Sequence, residues 1–502
     1  MKSLQQKIIQ NLNGLASPKE MDLLEKAFEF AEKSHSEQKR ESGEPFINHP
    51  LRVALTISQM KLGINAVIAS ILHDVVEDCE IPISEIKSQF NEEVAFLVSG
   101  LTKVNKIKYI TDKKEDDAAE KENFRNIILA LAKDLRIVLI KLADRLDNMK
   151  TLWSLDPNKK TKKSLETLEI LAPLAYRLGM SDIGAQLEDS AFPYVYPEEY
   201  KLTRKIVGKR REELENYLQE LIPLLQKKLE ENNLNPQKIK FRTKHLYSIW
   251  RKLQKENMDI KIIYDLVAMR IIMPNVEKCY GALGIIHQMW KPVPGRFKDY
   301  IALPKPNGYQ SLHTAVFAKD GRIVEIQIRT PQMDEEAEWG IAAHWIYGSL
   351  KDSKGYKSTT RKSTNRKKRK KFSPPKNFYW INQLREWQKK FYNSKEFLNS
   401  LKVDFFKDRI FVLTPKGDII DLPDGATPID FAYQIHTEVG DQAAGAKVNG
   451  KLVPLDYKLQ SGEVIEIIIK KRKLPSSSWL EFVKMSETRK KIQDALKGKD
   501  FI

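Results

Sequence analysis

Apolar residues recur at helical spacing through about the first 190 residues of this chain, and from about residue 238 they alternate in short runs. The segments MDLLEKAFEFAEK, INAVIASILHDVVED and LRIVLIKLADRLDNMKTL carry the helical period. The segments SLHTAVFA and GRIVEIQIRT carry the strand period. A chain of 502 residues is also too long for one compact core. The sequence therefore predicts an all-α domain followed by a mixed α/β domain.

Breaks in these patterns predict six segments. They are an all-α domain at 1–195, a helical connector at 196–237, a mixed α/β domain at 238–350, a basic linker and helix at 351–402, a small β-rich domain at 403–472 and the start of a helical region at 473–502. The linker ends in TTRKSTNRKKRKKFSPPKN, whose like charges repel and have little to bury, so residues 351–377 are predicted to be disordered. In the small domain RIFVLTP, GDIIDLP and GEVIEIIIKK are predicted strands, and PIDFAYQIHTEV is a predicted helix.

Composition excludes several classes of protein. Apolar content of 41% and charged content of 30% are typical of an ordinary folded protein. No apolar run approaches the roughly 20 residues that span a bilayer, and the first residues lack the apolar core of a signal peptide. Cys79 and Cys279 are far apart in the sequence and form neither a disulfide framework nor a zinc motif, which fits a reducing cytoplasm. The net charge of +18 favours polyanionic partners such as nucleotides, RNA or ribosomes.

Two histidines and two aspartates of the helical domain form a pattern that can hold a divalent cation. They are His49, His73, Asp74 and Asp144. Such a set leaves positions open for water and phosphate, and the bound cation lowers the pKa of the water. Glu77 and Asp78 follow the His-Asp pair at i+4, on the same predicted helix face, where they could orient that water or move its proton. Taken singly, each of these residues could equally be a loop or packing residue.

Strand alternation in GRIVEIQIRT places three polar residues on one face of a strand: Glu325, Gln327 and Arg329. Asp265 opens a second predicted strand, and two carboxylates on neighbouring strands could hold Mg²⁺ against a triphosphate. Cationic and aromatic side chains cluster nearby; they are Arg242, Lys244, His245, Lys252, Arg296, Lys298, Lys305, Tyr309 and His313. The alternative is a solvated strand face whose cations bind RNA or keep the chain soluble.

The segments RESGEPFINHPLRVA, ILHDVVEDCEI, KLADRLDNMKTL and LAPLAYRLGM resemble the HD-type hydrolase domain of the long RelA/SpoT homologues. The resemblance implies that His49, His73, Asp74 and Asp144 hold Mn²⁺, that Glu77 and Asp78 assist catalysis and that Arg40 and Asn148 contact substrate. The implied reaction is removal of pyrophosphate from the ribose 3′ position of guanosine tetra- or pentaphosphate. Asp147 departs from the histidine usual in the family's RLHNM, and it is expected to flank the site, where it could tune substrate or metal affinity without binding the metal.

The segments FRTKHLYSIWRKL, IYDLVAMRI, PGRFKDYIALPKPNGYQSLHT, VEIQIRT and AEWGIAAHW are similar to the nucleotidyltransferase-like synthetase domain of the same family. The resemblance implies that Asp265 and Glu325 carry Mg²⁺ and that Glu325 helps activate the acceptor's 3′ hydroxyl. ATP is expected at Arg242, Lys244, His245 and Lys252. GTP or GDP is expected at Lys298, Lys305, Tyr309, His313, Gln327 and Arg329. The implied reaction is attack of the acceptor's 3′ hydroxyl on the ATP β-phosphate with release of AMP, and the basic RFKD segment is associated with a preference for GTP.

The segment DRIFVLTPKGDIIDLPDGATPIDFAYQIHTEVG resembles a TGS domain, a β-grasp module that in long family members reads the end of an uncharged tRNA on the ribosome. The position that contacts tRNA matches His436, which could equally cap or pack a helix. The resemblance covers nearly the whole chain apart from the linker, and long members continue further, so a truncated or naturally short form is expected.

These observations predict a cytoplasmic, bifunctional enzyme that makes and hydrolyses guanosine tetra- and pentaphosphate, with ribosome and uncharged tRNA as further partners and no membrane contact. Two alternatives stay open. Only one of the two sites could be active, or the chain could be a tRNA- or ribosome-binding regulator with vestigial catalysis. Since both activities together would form a futile cycle, we also hypothesise that nucleotide at one site disfavours the active conformation of the other.

Overall fold

The computed structural model describes residues 1–105, 130, 133–255, 266–305, 307–343, 409–471 and 474–497. The chain divides into two compact units, Met1–Arg385 and Glu386–Ile502. Among the described helices none combines the length and the apolar surface that a membrane crossing requires. The segment predicted to be disordered, 351–377, lies outside the described residues.

The first part of unit 1 is helical. Its helices are α1 (Lys2–Leu12), α2 (Pro18–Ser34), α3 (Asn48–Gln59), α4 (Ile64–Ile71), α5 (Val75–Asp78), α6 (Ile83–Gln89), α7 (Glu92–Asn105), α8 (Leu135–Lys150), α9 (Pro157–Glu166), α10 (Ala172–Arg177) and α11 (Ser181–Val195). A 3₁₀ turn follows α8, and one π-helical turn joins α9 to α10. The predicted all-α domain is therefore confirmed.

Helices α4 and α8 lie in the core of this domain because each carries a broad apolar surface. All residues of α4 except Asn65 are buried. Twelve of the 16 residues of α8 are buried, and Asp144, Arg145 and Asp147 are among them. Burying charged groups costs free energy unless they are paired or bind a metal. Arg145 is paired with Glu166 at 2.7 Å, whereas Asp144 and Asp147 face a histidine, which marks a candidate site.

The prediction of one continuous helix through INAVIASILHDVVED was wrong. α4 ends at Ile71 and α5 begins only at Val75, so His73 and Asp74 lie in a break between two helices. The carbonyl of Ser70, which a continuous helix would use for its next turn, lies 2.8 Å from Nδ1 of His73. Glu77 and Asp78 are consequently on a separate short helix and do not extend the helix face that precedes the break.

The long helix α12 (Pro197–Glu231) leads from the helical domain to the mixed domain. The elements of the mixed domain are β1 (Lys238–Thr243), α13 (Leu246–Lys255), β2 (Val267–Ile272), α14 (Val276–Met289), β3 (Lys291–Pro292), β4 (Lys298–Asp299), β5 (Leu312–Phe317), β6 (Ile323–Arg329) and α15 (Pro331–Trp339). Within the described residues the strands form one sheet in the order β1-β2-β6-β5-β3, and β4 also pairs with β5.

The two faces of strand β6 have different neighbours. β6 runs parallel to β2 and antiparallel to β5, with Ala315 opposite Glu325 and His313 opposite Gln327. Val324, Ile326 and Ile328 pack into an apolar core with leucines of α12 and residues of α14. The polar residues of β6 therefore occupy the face opposite these helices, as strand alternation requires. The predicted mixed α/β domain is confirmed.

A seam joins the helical and mixed domains within unit 1. The backbone N–H of Ile341 donates to the carbonyl of Leu178 at 2.8 Å. Gly340, which precedes it, has a φ of +55°, and a Cβ added there would lie 2.3 Å from the same carbonyl. On α11 the ring of Phe192 packs against those of Tyr247 and Trp250 in α13, with centroids 5.3 and 5.2 Å apart. Backbone and aromatic contacts thus hold the two domains together.

The described part of unit 2 contains β7 (Arg409–Leu413), β8 (Ile419–Pro423), α16 (Pro428–Ile435), α17 (Thr437–Asp441), β9 (Ala443–Val448), β10 (Lys451–Val453), β11 (Ile465–Ile469), α18 (Trp479–Phe482) and α19 (Ser486–Lys497). β7 pairs with β8, β9 lies between β10 and β11, and one parallel bridge connects Leu413 to Val464. The buried carboxylate of Asp430 accepts from the backbone N–H groups of Thr427, Lys484 and Met485, which ties the C-terminal helices to α16. The predicted β-grasp class is confirmed.

Candidate functional site

Three separate segments bring together the predicted metal ligands of the helical domain. His49 lies in the first turn of α3, His73 and Asp74 lie in the break between α4 and α5, and Asp144 lies on α8. Nε2 of His49 is 3.2 Å from Oδ1 of Asp144 and 3.6 Å from Oδ2 of Asp74. Nε2 of His73 is 3.1 Å from Asp74 and 3.8 Å from Asp144. The four side chains therefore converge on one point.

The far side of each imidazole ring faces a hydrogen-bond acceptor. Nδ1 of His73 lies 2.8 Å from the Ser70 carbonyl, which can only accept, so this nitrogen carries a proton. Nδ1 of His49 lies 2.8 Å from Oδ2 of Asp147. Both rings thus present Nε2 to the carboxylates of Asp74 and Asp144.

Electrostatics make this cluster a binding site for positive charge. Burial by itself lowers the pKa of His73, but the carboxylates of Asp74 and Asp144 outweigh it and raise the pKa to about 9. The pKa of His49 is likewise raised, because its bonds to Asp144 and Asp147 outweigh its burial. Burial raises the pKa of Asp144, but Lys141 and the two histidines hold it well below its usual range.

The donor set fits a divalent cation. A neutral imidazole that carries its proton on Nδ1 has a lone pair on Nε2. Here each Nε2 lies 3.1 to 3.8 Å from carboxylate oxygens. The lone pairs and the oxygens repel each other unless a positive charge lies between them. Ligand atoms of His49, His73 and Asp74 lie within 4.8 Å of one another, and the buried Nε2 of His73 has no hydrogen-bond partner among the described residues. Two imidazoles and two carboxylates are a common ligand set for such ions. These groups can therefore hold a metal with positions left open for substrate.

Four further predicted residues surround this cluster. On α8, the side-chain amide N–H of Asn148 donates to Oδ1 of Asp144 at 2.5 Å. The Arg40 guanidinium donates to the side-chain oxygen Oδ1 of Asn148. Burial and the neighbouring Asp74 raise the pKa of Asp78 to about 6. The carboxylate of Glu77 includes a buried oxygen. The structure thus brings all four residues close to the metal ligands or to their hydrogen-bond partners.

A cleft of about 380 Å³ lies on the polar face of the mixed domain's sheet. Its lining residues are Arg242, Lys244, Lys252, Ala268, Val293, Arg296, Lys298, Tyr300, Lys305, His313, Ala315, Ile323, Glu325 and Gln327. Six of these carry cationic side chains, and Glu325 is the acid among those described. Burial, helped by nearby Lys298 and Arg242, lowers the pKa of Lys305 to about 8. Such a concentration of positive charge suits a polyphosphate.

A hydrogen-bonded chain extends from the cleft into the sheet. Gln327 donates to Oε1 of Glu325 at 2.9 Å, and Nδ1 of His313 is 3.5 Å from that oxygen. Nε2 of His313 lies 2.7 Å from the Tyr309 hydroxyl, to which Arg329 donates at 3.0 Å. These contacts link the acid of the cleft, through His313 and Tyr309, to the buried Arg329.

Some predicted residues lie elsewhere. Arg329 is only 1% exposed and does not line the cleft, and neither does Tyr309. His245 also lies outside the lining, where its Nδ1 is 2.9 Å from Asp189 of α11. Asp265 lies outside the described residues.

Sequence reasoning also missed Tyr300. Its ring lies 5.3 Å from that of His313 and 4.8 Å from Nζ of Lys305. The sequence feature that could have identified Tyr300 is its position directly after the RFKD segment.

In unit 2, His436 lies between α16 and α17, so the predicted single helix PIDFAYQIHTEV is broken there. Its backbone is extended, and its Nδ1 accepts from the backbone N–H of Glu438 at 3.3 Å. His436 therefore caps the short helix that follows it, which is the local role that the sequence left open.

Three family models match the chain. They describe an HD domain at residues 27–181, a region found in RelA/SpoT proteins at 241–352 and a TGS domain at 410–469. An HD hydrolase domain implies a divalent metal, which agrees with the histidine and aspartate cluster.

Curated relatives cover almost the whole chain. A guanosine-3′,5′-bis(diphosphate) 3′-pyrophosphohydrolase from Aquifex aeolicus (strain VF5) is 47% identical over 96% of this chain and 66% of that protein. A GTP pyrophosphokinase from Myxococcus xanthus is 44% identical over 95% of this chain and 61% of that protein. The bifunctional (p)ppGpp synthase/hydrolase SpoT from Escherichia coli (strain K12) is 42% identical over 95% and 65%. This chain therefore spans 61% to 66% of the length of these three relatives.

Proposed function

The chain belongs to the RelA/SpoT family, and on that premise we propose that unit 1 carries two opposed activities. The cleft in the mixed domain transfers pyrophosphate from ATP to the 3′ hydroxyl of GTP or GDP and releases AMP. The cluster in the helical domain hydrolyses the resulting guanosine tetra- or pentaphosphate to GTP or GDP and pyrophosphate. The observation that carries this proposal is the presence, in one chain, of a metal-binding donor set and a separate polycationic cleft.

The hydrolase proposal rests on what the residues of the helical domain can do. A divalent cation bound by the cluster would polarise a phosphate oxygen and lower the pKa of a bound water. Asp78, with a pKa of about 6, is largely ionised at neutral pH and can accept the proton of that water. Arg40 offers a guanidinium to the substrate phosphates, while Asn148 holds Asp144 in place. The water oxygen bonds to the phosphorus attached to the 3′ oxygen as that P–O bond breaks. The proton taken from the water passes to the 3′ oxygen, which leaves GTP or GDP with a 3′ hydroxyl and releases pyrophosphate.

The synthetase proposal rests on the charges of the cleft. Arg242 of β1, Lys252 of α13 and Lys244 between these two elements are suited to hold the ATP triphosphate. Lys298 on β4 and His313 on β5 lie on the other side of β6 in the sheet, and with Lys305, which also lines the cleft, they are suited to the guanine nucleotide. Glu325 is the acid positioned to take the proton of the attacking 3′ hydroxyl.

The two sites favour different metals. We assign Mn²⁺ to the helical domain by family resemblance, and its two imidazoles argue against Mg²⁺, which prefers oxygen ligands. We assign Mg²⁺ to the cleft, where Glu325 and, by family resemblance, Asp265 offer carboxylates alone. The ribosome and uncharged tRNA are proposed as partners of the TGS domain through His436, and the cytoplasm as the location.

Two nucleotide assays on the purified chain test this function. One reaction contains ATP, GTP and Mg²⁺, the other guanosine tetraphosphate and Mn²⁺, and anion-exchange chromatography resolves the products. Glu325→Gln is expected to reduce the rate of synthesis at least about 100-fold and to leave hydrolysis unchanged. Asp74→Asn is expected to reduce the rate of hydrolysis at least about 100-fold and to leave synthesis unchanged. Matched controls are Glu335→Gln on α15, where Glu335 pairs with Lys61, and Asp134→Asn at the N-cap of α8, where Asp134 pairs with Arg136.

The outcomes separate the alternatives. Turnover in both reactions, each lost only in its own variant, supports the bifunctional enzyme. Turnover in one reaction alone identifies the inactive site and leaves a monofunctional enzyme. Absence of turnover in both, together with tight binding of tRNA, contradicts the enzyme and favours a regulator.

A further inference from the structure

The carboxylate of Asp147 does not merely flank the metal cluster but contacts one of its predicted ligands directly. It lies on the buried side of α8 and is only 2% exposed. Oδ2 lies 2.8 Å from Nδ1 of His49, and Oδ1 accepts from Nε of Arg52 at 2.8 Å. Each oxygen thus has a partner of its own, and one of the partners is a predicted metal ligand.

The bond between Asp147 and His49 has a counterpart at the second histidine of the cluster. Nδ1 of His73 lies at the same distance, 2.8 Å, from the backbone carbonyl of Ser70. Both imidazoles are therefore held by a hydrogen bond at Nδ1, and both direct Nε2 toward the cluster. For His73 the backbone provides the acceptor, whereas for His49 the acceptor is a side chain that a substitution can remove.

The position of Asp147 is itself fixed by arginines. Arg52 bonds to Asp147 through Nε and to Glu44 through its two terminal nitrogens, at 2.7 and 3.0 Å. A terminal nitrogen of Arg40 lies 3.5 Å from Oδ2 of Asp147. A carboxylate held from two sides by guanidinium groups has little freedom to rotate away from His49.

We propose that Asp147 is a positioning residue for the divalent cation, which orients His49 and keeps its proton on Nδ1 so that Nε2 is the ligand atom. The inference rests on the proposed hydrolase function and adds a residue to it. A carboxylate that accepts from the far nitrogen of a ligating histidine fixes the ring and raises the basicity of the ligating nitrogen. Loss of such a partner commonly weakens metal binding by about 10- to 100-fold.

Metal binding in the absence of nucleotide tests this role separately from catalysis. The full chain is stripped of metal and titrated with Mn²⁺, and the free ion is followed by electron paramagnetic resonance. Asp147→Asn keeps the shape of the side chain, removes its charge and is expected to weaken Mn²⁺ binding about 10-fold or more. Asp134→Asn is the matched control, because this aspartate at the N-cap of α8 also accepts from an arginine, Arg136, and in the described structure it bonds to no ligand of the cluster. It is expected to leave the affinity within about twofold of the wild-type value.

A second variant separates positioning from general support of the fold. Arg52→Gln removes the ion pair at Oδ1 of Asp147 but leaves the bond between Oδ2 and His49 available. We expect it to lower the melting temperature and to weaken Mn²⁺ binding much less than Asp147→Asn does. Co²⁺ in place of Mn²⁺ adds a spectroscopic readout, since a displaced imidazole changes the visible absorption bands of the bound ion.

Each outcome decides the proposal. Unchanged affinity in Asp147→Asn overturns it and leaves the hydrolase assignment standing. Equal losses of affinity and melting temperature in Asp147→Asn and Arg52→Gln also overturn it, because they indicate a structural ion pair. A wild-type chain that binds no Mn²⁺ overturns both this proposal and the hydrolase assignment.

If Asp147→Asn fails to fold, the wild-type chain still decides the matter. Nitrogen-15 spectra of histidine-labelled protein loaded with Zn²⁺ show which nitrogen of His49 carries the proton. A proton on Nδ1 supports the proposal, and a metal-bound Nδ1 overturns it.

Discussion

Nδ1 of His245, just before α13, lies 2.9 Å from Oδ2 of Asp189 on α11, so one imidazole joins the mixed domain to the helical domain of unit 1. Its Nε2 is 3.9 Å from Oδ1 of Asp182. Asp189 also accepts from the backbone N–H of Tyr247 at 2.9 Å. Burial by itself lowers the pKa of His245, but the bonds to Asp182 and Asp189 outweigh it and raise the pKa to about 9.

Replacing His245 by glutamine is expected to destabilise unit 1 in a pH-dependent way. Because the folded-state pKa of about 9 exceeds the ordinary 6.5, the stabilisation is complete below about pH 6.5 and is lost as the pH rises through 9. It amounts to at most about 3.5 kcal/mol, since each pKa unit corresponds to about 1.4 kcal/mol. Differential scanning calorimetry from pH 6 to pH 10 should show the melting-temperature gap between wild type and His245→Gln closing with rising pH.

His287→Gln is a control variant for which the pH dependence of the stability difference from wild type has the opposite sign. Burial lowers the pKa of His287, so protonation at low pH favours the unfolded chain there. Relative to this variant the wild type should gain stability as the pH rises. A gap between wild type and His245→Gln that stays constant across the range would contradict the assignment of this ion pair.

Two glycine-to-alanine substitutions are expected to change stability in opposite directions. A Cβ at Gly340 would lie 2.3 Å from the Leu178 carbonyl oxygen, and the φ of +55° is strained for alanine, so Gly340→Ala should cost about 2–4 kcal/mol. Gly208, inside α12, has nothing within 4 Å of an added Cβ, so Gly208→Ala should stabilise by about 0.5–1 kcal/mol. Thermal unfolding of both variants checks the prediction, and a neutral Gly340→Ala would mean that the seam is looser than described.

Apolar spacing predicts the elements that carry both sites, because a helix or strand with one apolar face must bury it. The segment LRIVLIKLADRLDNMK forms α8 over its full length, and the alternation in IVEIQIR is that of β6. The break at His73 could not be predicted in this way, since a side-chain bond to the Ser70 carbonyl interrupts an otherwise helical pattern.

Spacing also cannot say which polar side chains meet. His245 and Asp189 are 56 residues apart in the sequence, and His49 and Asp147 are 98 apart, so both pairs depend on how whole helices pack. Alternation puts Arg329 on the polar face of β6, but its burial follows from α15, whose Asp334 lies 3.5 Å from the guanidinium. The chemistry of the sites was thus predictable, and the partners that position it were not.

The low pKa of Lys305 predicts pH-dependent binding of the guanine nucleotide. The ammonium group is charged below its pKa of about 8 and loses its charge above it, and bound phosphate shifts this midpoint upward. The KM for GTP in the synthetase reaction is therefore expected to rise about tenfold between pH 7.5 and pH 9.5. Lys305→Arg should flatten the rise, because a guanidinium stays charged over this range.

Initial rates of AMP formation at saturating ATP measure this effect. Lys298→Arg, at a neighbouring cation of the same cleft, is the matched control and should keep the pH-dependent rise of the wild type. If Lys305→Arg shows the same rise, the titrating group is not Lys305.

Arg329 is expected to act on acceptor binding through Tyr309, because it is buried yet donates to the Tyr309 hydroxyl and lies 5.3 Å from the ring centroid. Arg329→Lys should raise the KM for GTP about tenfold and change the KM for ATP less than about twofold. Tyr309→Phe should have a smaller effect on the KM for GTP, since the ring remains and only the hydroxyl is lost. Arg270→Lys is the matched control: Arg270 lies on the adjacent strand and bonds to the same Asp334 at 3.2 Å. Equal KM changes in the two arginine variants would show that Asp334 supports the sheet generally and that Arg329 has no separate role in positioning Tyr309.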